Sequence, residues 1–217
     1  MQVQERSFIM RCSIGLLIVS GLLASPALSQ SKPEPTKALT ATYITKEDIE
    51  AVEKATPSGD RTIRVLDIGH ENFAIGVVHR GRTVNGRMVE QQPRMALPPP
   101  KPCGRTMAKA PDGGTAGGIT HDAQTEGYYI TSGGGTMFTD GHIVNGSHYD
   151  LADLNGPTCL GTAYGVTFRT VKQGDVIVIP AGVVHGWIEV PDHVDYITFR
   201  PSPGIMQAGW VSPALTK

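Results

Sequence analysis

The sequence predicts an all-β protein, a closed β-barrel or sandwich preceded by a short N-terminal helical arm. Three observations carry this expectation. Glycine and proline number 26 and 16 in 217 residues, above the usual ~7% and ~5%, which favours many turns and short strands. Between Arg61 and Arg200 apolar residues recur at every second position and turn signals interrupt them, a pattern of roughly eight or nine short strands. Only 18% of residues are charged and 6% aromatic, which does not fit a coiled coil or a long-helix protein. The formal net charge is −1, and no basic block is present. Both argue against nucleic acid or an anionic membrane as the main partner.

Residues 1–29 read as a secretory signal peptide. Arg6 and Arg11 give a positive start, and Ile14 to Ala24 form an apolar run too short to span a bilayer. Ser25-Pro26 breaks the run, and Ala27-Leu28-Ser29 offers small residues for cleavage before Gln30. The expected product is soluble and periplasmic or secreted, with no membrane contact after cleavage.

Residues 30–60 form an arm. Its first part, 30–41, is polar and contains proline. A helix should then start at Thr45, a good N-cap, with Asp48 three residues on and Glu47 and Glu50 beside the positive helix start. Ile49 and Val52 give it a short apolar stripe, and Pro57-Ser58-Gly59-Asp60 ends it. One short helix cannot be a core, so it should pack on the outside of a sheet.

The period changes to two at Arg61. Ile63, Val65 and Asp67 alternate with Arg64 and Leu66, and Phe73, Ile75, Val77 and His79 share one face of the next strand. Residues 87–118 show no period, hold six of the sixteen prolines and end in a glycine-rich run, so they read as a long loop or flap. Strands resume at Glu126–Ser132 and Gly135–Thr139 on either side of Gly133-Gly134. Residues 140–164 are polar and turn-rich. Val166–Val171, Val176–Ile179, His185–Val190 and Val194–Arg200 complete the set, making a barrel of residues 61–203 with a tail over 204–217.

Two cysteines follow the apolar leader, Cys103 and Cys159, both among turn residues and neither in a CxxC pair. In an oxidising compartment they allow one intramolecular disulfide, and they give poor support to redox catalysis or structural zinc.

The sharpest local pattern runs from Gly174 to His185. Gly174-Asp175 turns into an apolar strand, Pro180 ends it, and Gly182 permits a backbone closed to other residues. His185 is thereby delivered to the start of the next strand. The spacing, G-x5-P-x-G-x2-H, is matched at every position and resembles the second motif of the cupin superfamily. The first cupin motif, G-x5-H-x-H-x3,4-E-x6-G, is matched by Gly113, His121, Glu126 and Gly133, with Ile119 standing where the first histidine belongs.

The resemblance implies a jelly-roll barrel that holds one divalent metal through His121, Glu126 and His185. The residue types agree: two imidazoles and one carboxylate leave open positions and suit non-haem Fe(II), with Mn, Zn, Ni or Co also compatible. Ile119 leaves three arrangements open. The metal is held by three ligands, or a fourth histidine completes the set with His79 the best placed, or the barrel carries no functional metal. His79 is otherwise a core histidine. Tyr128 shares parity with Glu126 and Trp187 with His185, so both either line the cavity with Ile119 or pack in the core. Arg80, Arg82 and Arg87 form a local basic cluster, read as a solvated face or as contacts for an anionic substrate. His70, His142, His148 and His193 fall in expected turns.

The functional expectation is an exported metal-dependent enzyme of oxygenase or isomerase type acting on a small molecule. The alternative is a barrel that binds a sugar or small organic acid without chemistry. A homodimer is left open.

Overall fold

The computed structural model describes residues 40–57, 59–90, 100–151, 154–202 and 205–216. The expected signal peptide, the first part of the arm and Pro98-Pro99 lie outside the described residues. Helix α1 (Lys46–Ala55) is capped by Thr45, whose side chain accepts from the Asp48 N–H while Asp48 accepts from the Thr45 N–H. This reciprocal pairing satisfies donors that a helix start leaves open. Val52 is buried against Ile63 and Val77, so the helix packs on a sheet as its one-sided apolar stripe requires.

Thirteen strands follow among the described residues: β1 (Gly59–Asp67), β2 (Asn72–Arg80), β3 (Thr83–Val84), β4 (Arg87–Met88), β5 (Lys101–Cys103), β6 (Thr115–His121), β7 (Glu126–Thr139), β8 (His142–Leu151), β9 (Gly156–Tyr164), β10 (Thr167–Lys172), β11 (Val176–Ile179), β12 (His185–Glu189) and β13 (Val194–Ser202). Pairing of the main strands is antiparallel throughout. One half-sheet runs β1-β2-β13-β7-β11. The other runs β10-β7-β12-β6-β9-β8-β5. Strand β7 belongs to both, and it crosses between them at Gly133. That residue has φ +63°, and a Cβ there would lie 2.0 Å from the His193 carbonyl oxygen, so glycine is required at this corner.

The main core lies between the half-sheets. Val78, Tyr128, Ile130 and Tyr196 from one meet Met137, Trp187 and Val190 from the side of the other. Ile130 and Phe138 are fully buried, each stabilising by about 1.5–3 kcal/mol relative to exposure. The fold is an all-β jelly roll with one short α-helix among the described residues, as the strand pattern predicts.

Three expectations need correction. Residues 87–118 are not one loop, because they contain β4, β5 and the start of β6. Their prolines and glycines hide period two for a physical reason. Pro102 sits in β5, which pairs with β8 alone, and an edge strand tolerates a residue without an N–H. The ladder of β6 with β9 is broken between Thr115 and Gly118. Residues 140–164 are not mainly turns: they form β8 and β9, whose shared ladder shifts register between Val144 and Ser147, which throws the alternation of β8 out of phase. His142 and His148 accordingly lie in β8. Lastly, the described part of the tail, residues 205–216, is part of the fold. The Val65 N–H donates to the Trp210 carbonyl and the Ser212 N–H to the Ile63 carbonyl, so the tail runs beside β1.

Cys103 and Cys159 form the expected disulfide, with Cα atoms 6.0 Å apart and a sequence separation of 56. On the chain-entropy account it stabilises by about 4 kcal/mol before any native strain. It fastens β5 to β9, one residue from Thr158.

Candidate metal centre

Two segments distant in sequence build the site. His121 closes β6, Glu126 opens β7 and His185 opens β12. The turn before β12 is tied to the first segment directly: the Gly182 N–H donates to the His121 carbonyl at 2.8 Å. The His185 and Ile119 backbones are register partners. As a result Glu126 Oε2 lies 3.3 Å from His121 Nε2 and 3.2 Å from His185 Nε2. One ligand atom from each residue falls within 4.8 Å of the others, and all three residues are buried.

The outer ring nitrogens fix the tautomers. His185 Nδ1 lies 3.0 Å from the Val183 carbonyl, which only accepts, so Nδ1 carries the hydrogen. Thr158 Oγ1 donates to the Gly156 carbonyl and is therefore free to accept from His121 Nδ1 at 3.0 Å. In each neutral ring Nε2 is then a lone pair directed at the Glu126 carboxylate. Three acceptors face one another with no donor among them. A proton on each ring, or one cation between all three, must fill that gap. A single divalent ion satisfies the three lone pairs together, and the Nδ1 bonds are the supports that orient such ligands. The residues present therefore fit a divalent metal.

Glu126 is held in one orientation. Its Oε1 accepts from Arg200 Nε at 2.7 Å, and Oε2, the oxygen facing the histidines, accepts from Tyr128 Oη at 2.5 Å. Arg200 also pairs with Asp60 on β1. It passes Gly76 of β2 on the way, where a Cβ would lie 3.3 Å from Arg200 Nη1 and 2.9 Å from the Arg61 carbonyl oxygen. Any larger residue at 76 would block this crossing. Burial works to raise the Glu126 pKa, but the Arg200 charge and the facing histidines outweigh it and hold the carboxyl well below its ordinary value. Burial, aided by the Glu126 charge, pushes the Tyr128 phenol well above its ordinary value, so it stays a neutral donor. Burial likewise pushes Tyr196 up to about 12.

The three groups sit on a cavity of about 210 Å³ that is also lined by Ile119, Tyr128, Trp187 and His79. His79 is outside the ligand group: its Nδ1 lies 2.6 Å from Asp195 Oδ1. Arg80 and Asn155 line the same cavity. Sequence reasoning missed four functional residues: Arg200, Thr158, Asn155 and Asp60. Arg200 had a readable signal, since it continues the inward parity of Tyr196 and Thr198 on β13 and so puts a charge on a buried face. Thr158 sits near the start of β9 and Asn155 in the turn before it, so neither had one.

The two half-sheets sharing β7, with the two motif segments meeting inside them, decide the architecture. The chain has the cupin fold. No protein-family model and no curated protein matches the chain. Among solved structures, a conserved Klebsiella pneumoniae protein with a double-stranded β-helix domain is similar at 14% identity and TM-score 0.36, over 76% of this chain and 94% of that one. A Neisseria meningitidis protein is similar at 11% identity and TM-score 0.33, over 73% of this chain and 100% of that one. An oxalate oxidase with bound glycolate is similar at 14% identity and TM-score 0.28, over 68% of this chain and 53% of that one. These are likenesses to other proteins' folds and carry no activity with them.

Proposed function

We propose that the chain is an exported, metal-dependent cupin enzyme that acts on a small molecule by an oxygenase or isomerase type of reaction. The observation that carries the reading is the convergence of two Nε2 lone pairs and one carboxylate oxygen, each held by its own second partner. Two histidines and one carboxylate with open positions favour Fe(II) over Mn, Zn, Ni or Co. When bound, the ion would supply Lewis-acid polarisation of the substrate.

The chain's own residues do the rest. His121, Glu126 and His185 hold the ion. Tyr128 keeps a proton at Oη beside Glu126 Oε2, and Ile119, Trp187 and Tyr196 exclude water from the walls. Export is supported by the disulfide between Cys103 and Cys159. Mass spectrometry of the exported protein should find Gln30 as the first residue.

Ile119 favours a second reading. A branched apolar side chain stands where a fourth ligand would complete a metal site, which suits a barrel that holds a sugar or small organic acid without chemistry. Elemental analysis of untagged protein separates the two. The enzyme reading expects about one transition metal per chain. Protein that carries none, and takes up none of Fe, Mn, Zn, Ni or Co, is the ligand-binding barrel.

A further inference from the structure

We infer that the cavity takes a small carboxylate, with Arg80 as the residue that reads it. This rests on the metal reading above and extends it to a substrate class.

The cavity's charge is the first argument. Its acidic groups are Asp60 and Glu126, and both are engaged by the one guanidinium of Arg200. Arg80 stands apart from this row. It follows Gly76 and Val78 on the inward parity of β2 and lines the cavity. Its Nε is buried with no hydrogen-bond partner, and it makes no ion pair among the described residues. Two carboxylates and two guanidiniums cancel, so a divalent ion leaves its full charge uncompensated in a half-enclosed cavity. A neutral ligand would leave that charge standing, whereas an anion offsets it.

Asn155 supplies an independent observation. The residue is 5% exposed and its Nδ2 lies 3.4 Å from His121 Nε2, while its Oδ1, an acceptor without a hydrogen-bond partner, calls for a hydroxyl or a water and not for the acid group. Once that Nε2 lone pair is given to an ion, Nδ2 is a buried donor next to the ion with nothing of the chain to bond. A carboxylate oxygen on the ion satisfies it. Ile119, Trp187 and Leu154 then face the carbon body.

Among the described residues Arg80 is the one guanidinium that lines the cavity, and this favours carboxylate over phosphate. One planar fork matches one carboxylate, while phosphate sites draw on helix starts or backbone nests. The one α-helix among the described residues packs by Val52 against Ile63 and Val77, and neither it nor its cap lines the cavity. The cavity of about 210 Å³ limits the ligand to a few heavy atoms beyond the acid group.

Calorimetric titration of the Co(II)-loaded protein tests this, using acetate, malonate, succinate and benzoate against their neutral amides and inorganic phosphate. The Co(II) content is measured in each sample. At least one acid should bind wild-type protein more tightly than its amide by about 10- to 100-fold, the range of a hydrogen bond to a charged group. Arg80→Met should erase that preference, and Arg80→Lys should restore part of it. The acid–amide comparison in wild-type protein stands even where a variant folds poorly. The inference is overturned if Co(II) is bound and no acid is preferred to its amide, if Arg80→Met binds the best acid as tightly as wild type, or if phosphate binds more tightly than every acid. Protein that takes up no Co(II) overturns the metal reading itself, and this inference with it.

Discussion

Two histidine pairs stand in this barrel, built from similar parts and put to different ends. His121 and His185 have ring centroids 5.2 Å apart, and His79 and His193 have centroids 6.1 Å apart. The first pair's side chains are 2% and 5% exposed, and the second pair's are each 37% exposed. The deciding difference is what the Nε2 atoms face. In the buried pair a hydroxyl or a carbonyl holds Nδ1, and both Nε2 atoms converge on Glu126 Oε2. In the exposed pair a carboxylate holds each Nδ1, Asp195 for His79 and Asp192 for His193, each at 2.6 Å. His193 Nε2 lies 3.1 Å from Ser132 Oγ, which itself donates to Asp195. His193 is thus spent within an ion-pair cluster, and His79 shares no ligand point with a second imidazole and a carboxylate among the described residues. A histidine becomes a candidate ligand through the convergence of its open nitrogen with other ligand atoms, not through its nearness to a second histidine.

The contrast can be broken from the buried side first. Arg200→Met should strand Glu126 and Asp60 as unpaired carboxylates, and a buried charge left alone costs about 3–5 kcal/mol in chemical denaturation. The variant should also change the response to acid. In wild-type, metal-free protein the Glu126 pKa is lower folded than unfolded. Its contribution is therefore fully present above the ordinary carboxyl range near about 4.3 and is lost as pH falls through the folded value. Without Arg200 burial is opposed only by the facing histidines. The folded pKa should then rise, and acid should remove less stability through this group than in wild type.

Thr158→Val removes the hydroxyl that accepts from His121 Nδ1 and leaves the ring without its orienting bond. Metal affinity should fall by about 10- to 100-fold, read by competition with a chelating dye. Asp195→Asn is the matching change in the exposed cluster. It should leave metal affinity unchanged and cost no more than about 1 kcal/mol, as expected of partly solvated pairs.

The sequence makes the site's ligands easier to read than their supports. Gly174 to His185 is a continuous turn–strand–turn unit whose glycines and proline mark its corners, and the structure keeps it as β11, the turn and β12. The strands from 61 to 80 and from 194 to 200 are legible because one face of each is buried. β8 and β9 are not, since their ladder slips between Val144 and Ser147 and both faces are only partly covered. Thr158 lies near the start of β9 and Asn155 in the turn before it, where there is no alternation to read. Arg200 is legible in retrospect as a charge at an inward position. What it contacts is not, because Asp60 lies on a strand two removed and is reached only across Gly76.

The central claim is that His121, Glu126 and His185 form one ion site while the neighbouring histidines do not. The most direct measurement is a titration of untagged His185→Ala and His193→Ala proteins with Co(II), followed by its visible absorption. The account predicts that His193→Ala binds one ion as wild type does. It predicts that His185→Ala, left with two ligands, loses affinity by more than about 100-fold, beyond the range of a supporting residue. Equal binding by both variants, or loss of the ion in His193→Ala with retention in His185→Ala, would contradict it.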